Sequence, residues 1–116
     1  MDKIKLARWN HAFVEEISKI ISTEVKDDDI KFVTITDCDI TSDLSFAKVY
    51  YSVLDRSRKE ITEEALEKAA PFIRSELSQR VEIRHTPELK FIYDTSIEYG
   101  EQIDEKLEEI REKEEN

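Results

Sequence analysis

Ala69-Ala70-Pro71-Phe72-Ile73-Arg74-Ser75-Glu76-Leu77, with Arg84-His85-Thr86-Pro87-Glu88-Leu89-Lys90-Phe91 soon after it, decides how this 116-residue chain folds. A proline disfavours helical geometry at the residue before it, here Ala70. It suits the first turn of a new helix, where its missing amide would be unpaired anyway. The first stretch therefore reads as two helices meeting at a short kink, Ala69-Ala70-Pro71. The incoming helix has Thr62 as its expected N-cap, with Glu63 and Glu64 in the first turn and Ile61 and Leu66 at staple spacing. The outgoing helix is expected to present Phe72, Ile73, Leu77 and Val81 to the core. The second stretch reads as a strand, Leu89 to Tyr93, entered just after Pro87.

Upstream, Leu6, Trp9, Phe13, Ile17, Ile20 and Ile21 recur at helical spacing between Lys5 and Val25, and Asp27-Asp28-Asp29 ends that helix. Phe32-Val33-Thr34-Ile35-Thr36 is rich in β-branched residues and reads as a strand running towards Ile40. After the turn cluster Thr41-Ser42-Asp43, Ala47, Val49, Tyr51 and Val53 alternate with more polar neighbours, the period of a half-buried strand. These two strands are expected to form an antiparallel hairpin with Lys48 and Tyr50 on its less buried face. Downstream, Thr95-x-x-Glu98 is a capping box for a last helix packing through Tyr99, Ile103, Leu107 and Ile110. The order is α-β-β-α-α-β-α. This is an α+β fold with a three-stranded sheet, helices on one face and the other face partly open. One domain over 1–110 is expected, with a frayed polar tail over 111–116.

The net charge of −10 looks hostile to nucleic acid, but it is unevenly placed. Residues 27–43 and 101–116 each carry −5, the whole excess, so the remainder is neutral and can present a basic face. No apolar run is long enough to span a membrane, and no secretory signal is visible. Cys38 is the sole cysteine and has no internal partner, which points to a reducing cytosol. With two histidines it is too little for a usual structural zinc site. No G-x-S-x-G, H-E-x-x-H or P-loop is present, and Gly100 is the only glycine, so no phosphate-cradling glycine loop can form. Cys38, His11 and His85 make no catalytic set, and the acids of the last helix read as a solvated face rather than metal ligands. The chain reads as a non-enzyme without cofactor or metal.

The basic residues carry the remaining chemistry. Lys3, Lys5 and Arg8 stand at the start of the first helix, where cations oppose the helix dipole at about 0.3–1 kcal/mol each. A sequence tuned for stability alone would place acids there, so these three are candidate phosphate contacts, with ordinary solvated charge as the competing reading. Arg74, Arg80 and Arg84 surround the kink and the third strand, and a guanidinium suits phosphate through its planar fork. For these three arginines, and for Arg74 above all, an internal ion pair with Glu76, Glu88 or Asp94 is the competing reading. Lys48 and Tyr50 can touch backbone and stack a base, or form an ordinary sheet surface.

In order and spacing the chain resembles the ribosome-binding factor A family, through Glu16-Ile17, Lys26-Asp27, Val33-Thr34-Ile35-Thr36-Asp37, Asp43-Leu44-Ser45 and Ala47-Lys48-Val49-Tyr50. The matches are densest over Ala69 to Leu77 and continue through Arg84, Pro87-Glu88-Leu89, Phe91, Tyr93-Asp94 and Ser96. The resemblance implies a type II KH-like fold in which an interhelical Ala-x-Gly kink replaces the GXXG loop that holds single-stranded backbone. Here Pro71 stands in place of that glycine, and proline forbids the left-handed backbone glycine allows. Lys5, Arg8 and Arg84 fall at positions where the family carries bases; Arg80 matches none clearly. The implied role is a cytoplasmic, bacterial assembly factor, monomeric, that binds the free small ribosomal subunit and its ribosomal RNA. It would assist late maturation and rRNA processing, with ribosomal proteins and other assembly factors as further partners and a link to growth in the cold. The acidic tail is expected to repel unrelated RNA. The alternative is a protein–protein adaptor using the acidic last helix and the open sheet face.

Overall fold

A computed structural model of the chain describes residues 3–30 and 32–96. Helix α1 (Lys3–Thr23) is followed by a short 3-10 turn (Asp28–Ile30), strands β1 (Val33–Ile40) and β2 (Phe46–Val53), a second 3-10 turn (Arg56–Arg58), helix α2 (Lys59–Arg80) and strand β3 (Glu88–Tyr93). The sheet order is β1-β2-β3; β1 and β2 are antiparallel, and β3 lies parallel to β2. Both helices pack on one face of the sheet. Phe13, Ile17 and Ile20 of α1 and Leu66, Ile73 and Leu77 of α2 share one core cluster with Ile40, Val49 and Tyr51. The expected last helix, its Thr95-x-x-Glu98 box and the 111–116 tail lie outside the described residues. Within them, Asp94 rather than Thr95 accepts the Ser96 amide, at 3.0 Å.

The expected pair of helices around Pro71 is a single helix, with the proline inside it. Thr62, Ala65, Leu66, Ile73 and Leu77 are all buried, and Ala69 packs against the same core. Their spacing stays in helical phase across Pro71, so core burial carries the helix through a residue that local preference would use as a break. Two further expectations fail with the earlier start. Thr62 caps nothing; it is buried, and its Oγ1 donates to the Asp29 carbonyl at 3.1 Å. Ile61 lies within the helix rather than before it, so the staple with Leu66 is absent. The entrance is made by Asp55, whose Oδ1 accepts the Ser57 amide at 3.0 Å and opens the 3-10 turn feeding α2. Phe72, expected in the core, is 45% exposed because it falls off the buried stripe.

Strand β1 carries a correction to simple alternation. Continued from Ile35, period two would turn Asp37 and Asp39 into the core. The register instead slips between Ile35 and Asp37, leaving Thr36 as the extra residue of a β-bulge. The slip flips parity, so Cys38 and Ile40 point inward and the two aspartates stay exposed. Thr36 is used rather than wasted: its Oγ1 donates to Asp94 Oδ2 at 2.6 Å, tying the exit of β3 to β1.

Two non-glycine residues, Phe32 and Leu44, both have φ of 63°. The left-handed region costs a residue with a side chain about 1–2 kcal/mol. Leu44 offsets this by complete burial at the hairpin turn, whereas Phe32 remains 71% exposed.

Candidate nucleic-acid interface

Helix α1 runs back along β1. Asn10 Oδ1 accepts the Ile40 amide at 2.8 Å where the strand ends, and Ile21 and Val25 flank Phe32 and Val33 where it begins. Lys3, Lys5 and Arg8 precede Asn10 and therefore lie towards the end of the sheet that holds the hairpin turn. All three are exposed, and none is ion-paired among the described residues. The first turn of α1 contains no acid. The positive pole of the helix is thus reinforced rather than neutralised, which is the field an anion prefers.

Strand β3 begins at the same end, where the Glu88 amide donates to the Ser45 carbonyl at 3.1 Å. The loop that delivers β3 there carries Arg84, also exposed and without an ion pair among the described residues. Arg74 fixes this loop. Its Nε and Nη2 both donate to the Thr86 carbonyl, at 3.1 and 2.8 Å, so the guanidinium is spent on backbone rather than on Glu76, Glu88 or Asp94. Arg80 is also engaged internally, between Glu16 at 3.6 Å, Glu24 at 3.7 Å and Glu76 at 3.8 Å, joining the carboxyl end of α2 to α1.

The expected kink residues line a groove. Ala70, Pro71 and Arg74 face Glu88, Lys90 and Phe91 of β3 across a cleft of about 390 Å³. Its charges are mixed, with Glu67 and Glu88 set against Arg74 and Lys90. Pro71 offers no amide donor there. A phosphodiester chain finds neither a donor-rich loop nor a positive field in this groove.

On the open sheet face, Lys48 is exposed in cross-strand register with Asp39 on one side and Lys90 on the other. Lys90 was not singled out by the sequence reading. It pairs with Glu88 at 3.7 Å and sits 5.4 Å from the Phe46 ring centroid. Tyr50 is half-buried between Asp37 and Ile92. This face is therefore less basic than Lys48 alone suggests.

The remaining reactive groups are quiet. Burial, with Asp37 and Asp39 beside it, pushes the Cys38 thiol up to about 12, far from a nucleophile. Asp43 is held down at about 2 by hydrogen bonds from the Ser45 hydroxyl and amide and the Thr41 hydroxyl, which fasten it within the hairpin turn. Among the described residues no group of His, Cys, Asp and Glu could hold a metal ion, and no helix is long and apolar enough to cross a membrane.

Comparison with known proteins adds to this geometry. Residues 5–107 match the family model described as ribosome-binding factor A. The ribosome-binding factor A of Staphylococcus carnosus is 45% identical over 114 residues, covering 97% of this chain and 99% of the relative. Among solved structures, the crystal structure of ribosome-binding factor A from Thermus thermophilus has a TM-score of 0.70 at 22% identity, over 76% of this chain and 94% of that one. A homology model of the Thermus thermophilus factor, fitted into a cryo-EM map of its complex with the 30S subunit, has a TM-score of 0.58 at 24% identity, over 78% and 91%.

Proposed function

This chain belongs to the ribosome-binding factor A family, and from that premise we propose that it binds the free small ribosomal subunit and its ribosomal RNA in the cytoplasm. It assists late maturation and rRNA processing as a monomeric, non-enzymatic factor. The observation that carries the reading is the crowding of Lys3, Lys5 and Arg8 onto the first two turns of α1, without an ion pair among the described residues and against the helix dipole. Arg84 extends the contact from the neighbouring loop, and Arg74 holds that loop through Thr86. Arg74 and Arg80 position other groups, and Lys48 makes a minor contact beside Lys90.

The fold reads as type II KH-like, supported by the mixed sheet with β3 parallel to β2 and by the long α2 beside it. In this reading the two KH helices are merged through Pro71, and a bend there takes the place of the interhelical glycine. The phosphate contact has moved from the helix junction to the amino end of α1.

The test is co-sedimentation with free small subunits and with joined ribosomes. Binding to the free subunit that is lost on joining is the expected result. Equal binding to both, or to neither, would reject the assembly role.

A further inference from the structure

The two outer strands of the sheet treat their unpaired side differently. In β1 the amides that point away from β2 are taken by side chains. Cys38 donates to Asp37 Oδ1 and Ile40 to Asn10 Oδ1, both at 2.8 Å, and the bulge at Thr36 breaks the row. A strand blunted in this way resists the addition of another. β3 has no such protection. The Glu88 amide donates to the Ser45 carbonyl at 3.1 Å and the Asp94 amide to the Tyr51 carbonyl at 2.7 Å, so the even-numbered residues face β2 in the parallel register. The amides and carbonyls of Leu89 and Phe91 therefore point to the outer side, where neither has a partner among the described residues. No proline or bulge interrupts β3.

The groove of about 390 Å³ between α2 and β3 runs beside this row, and Leu89 and Phe91 line it. Its opposite wall adds an acceptor. Pro71 has no amide to give to the Glu67 carbonyl one turn earlier, and both residues line the groove. Most of the charge there is already matched or spent. Lys90 pairs with Glu88 at 3.7 Å, and Arg74 is held by the Thr86 carbonyl. What remains is a slot with apolar walls, Ala70, Pro71 and Phe91, bordered by backbone donors and acceptors in alternation. The exposed Glu67 carboxylate stands at its rim and opposes phosphate.

We propose that β3 takes an added strand, an extended and uncharged segment of a partner protein that pairs with the Leu89 and Phe91 backbone and lays an apolar side chain against Pro71 and Phe91. The hydrogen-bond pattern selects this occupant, because an extended backbone repeats its donors and acceptors at the spacing of β3 itself. RNA fits less well, since its phosphates only accept and would meet the carbonyl and carboxylate of Glu67. The added strand does not depend on binding to the small subunit.

Residue-resolved amide exchange on the full chain, with peptides selected from a displayed library of random nonapeptides, tests it. In the protein alone, Leu89 and Phe91 should exchange faster than Lys90 and Ile92. The selected peptides should carry an uncharged stretch with apolar residues at alternate positions, and should protect Leu89 and Phe91 on titration. Phe91→Pro removes one outward amide that Phe91→Ala keeps, and an outer strand tolerates proline where its amide faces away from the sheet. The proline variant should bind the selected peptides about 5-fold more weakly than the alanine variant, the worth of one hydrogen bond. Ala70→Lys fills the groove from α2 and leaves the β3 backbone as it is, so it decides the matter should the proline variant fail to fold. It should weaken binding about 10-fold. Failure to enrich any peptide over an unrelated control protein would overturn the proposal, as would slow exchange of Leu89 and Phe91 in the protein alone. Protection of both amides by a mixed-sequence single-stranded RNA decamer would overturn it in favour of RNA. Protection that grows with protein concentration, alongside sedimentation as a dimer, would overturn it in favour of a second copy.

Discussion

The two ends of α1 differ in how they meet the helix dipole. The amino end carries Lys3, Lys5 and Arg8 and no acid in its first turn; the carboxyl end has no base in its last turn and leads into three aspartates. The amino end gives up helix stability in the range of a few tenths to about 1 kcal/mol per charge. The arginines of α2 show the contrary pattern, since Arg74 and Arg80 are consumed by Thr86 and by three glutamates. The difference separates Arg74 and Arg80, which hold the protein together, from Lys3, Lys5 and Arg8, which make no ion pair within the described residues. Only the second kind is available to an RNA.

The strongest test of that separation is charge reversal at the amino end and its loop. Lys5→Glu, Arg8→Glu and Arg84→Glu together should lower affinity for small-subunit ribosomal RNA on the order of 100- to 1000-fold. The same variant should melt no lower than the wild type, because two of its new acids now complement the helix dipole. A matching loss of stability and affinity would collapse the distinction. Arg74→Ala is the converse case. Loss of two charged hydrogen bonds to Thr86 should destabilise the fold by about 1.5–3 kcal/mol in denaturant titration. Its affinity should fall only as far as Arg84 loses its position.

Smaller effects sharpen the comparison further. Ser22→Arg in the last turn of α1 should raise stability by about 0.3–1 kcal/mol, since a base there meets the negative pole. At the hairpin turn, the Asp43 carboxyl sits at about 2 against an ordinary 3.8. Its depressed value means the folded state favours the charged form. The stabilisation is therefore complete above about pH 4 and is lost as pH falls towards 2. The stability difference between wild type and Asp43→Asn should vanish over that window.

Much of this architecture was legible from local pattern. The stripe from Phe13 to Ile21 and the alternation from Ala47 to Tyr51 each follow from one repeated spacing, and the structure buries both. The misreadings arose where tertiary packing overrode a local signal. Pro71 is a strong break in isolation, yet Leu66, Ile73 and Leu77 stay in phase across it. That phase was present in the sequence and outweighed the proline. The bulge at Thr36 was also encoded, because unbroken alternation would have buried Asp37 and Asp39. At the candidate site, Lys5, Arg8 and Arg84 could be singled out by residue type and by likeness to the family. The pair of Arg80 with Glu76, one helical turn away, was among the sequence readings; the contacts of Arg74 with Thr86 and of Arg80 with Glu16 could not be, since those partners are distant in sequence or on another helix. Lys90 joins Lys48 only through the parallel pairing of β2 and β3, which no local pattern announces.

The central claim is that the cations at the amino end of α1 and at Arg84, without an ion pair among the described residues, meet RNA phosphates. It is tested most directly by measuring affinity for free small subunits across a salt series, for the wild type and for the Lys5, Arg8 and Arg84 charge-reversed variant. The account expects log affinity to fall linearly with log salt for the wild type, and the slope to flatten by about 3 in the variant. Binding by the wild type that is insensitive to salt, or a variant slope equal to that of the wild type, would contradict it.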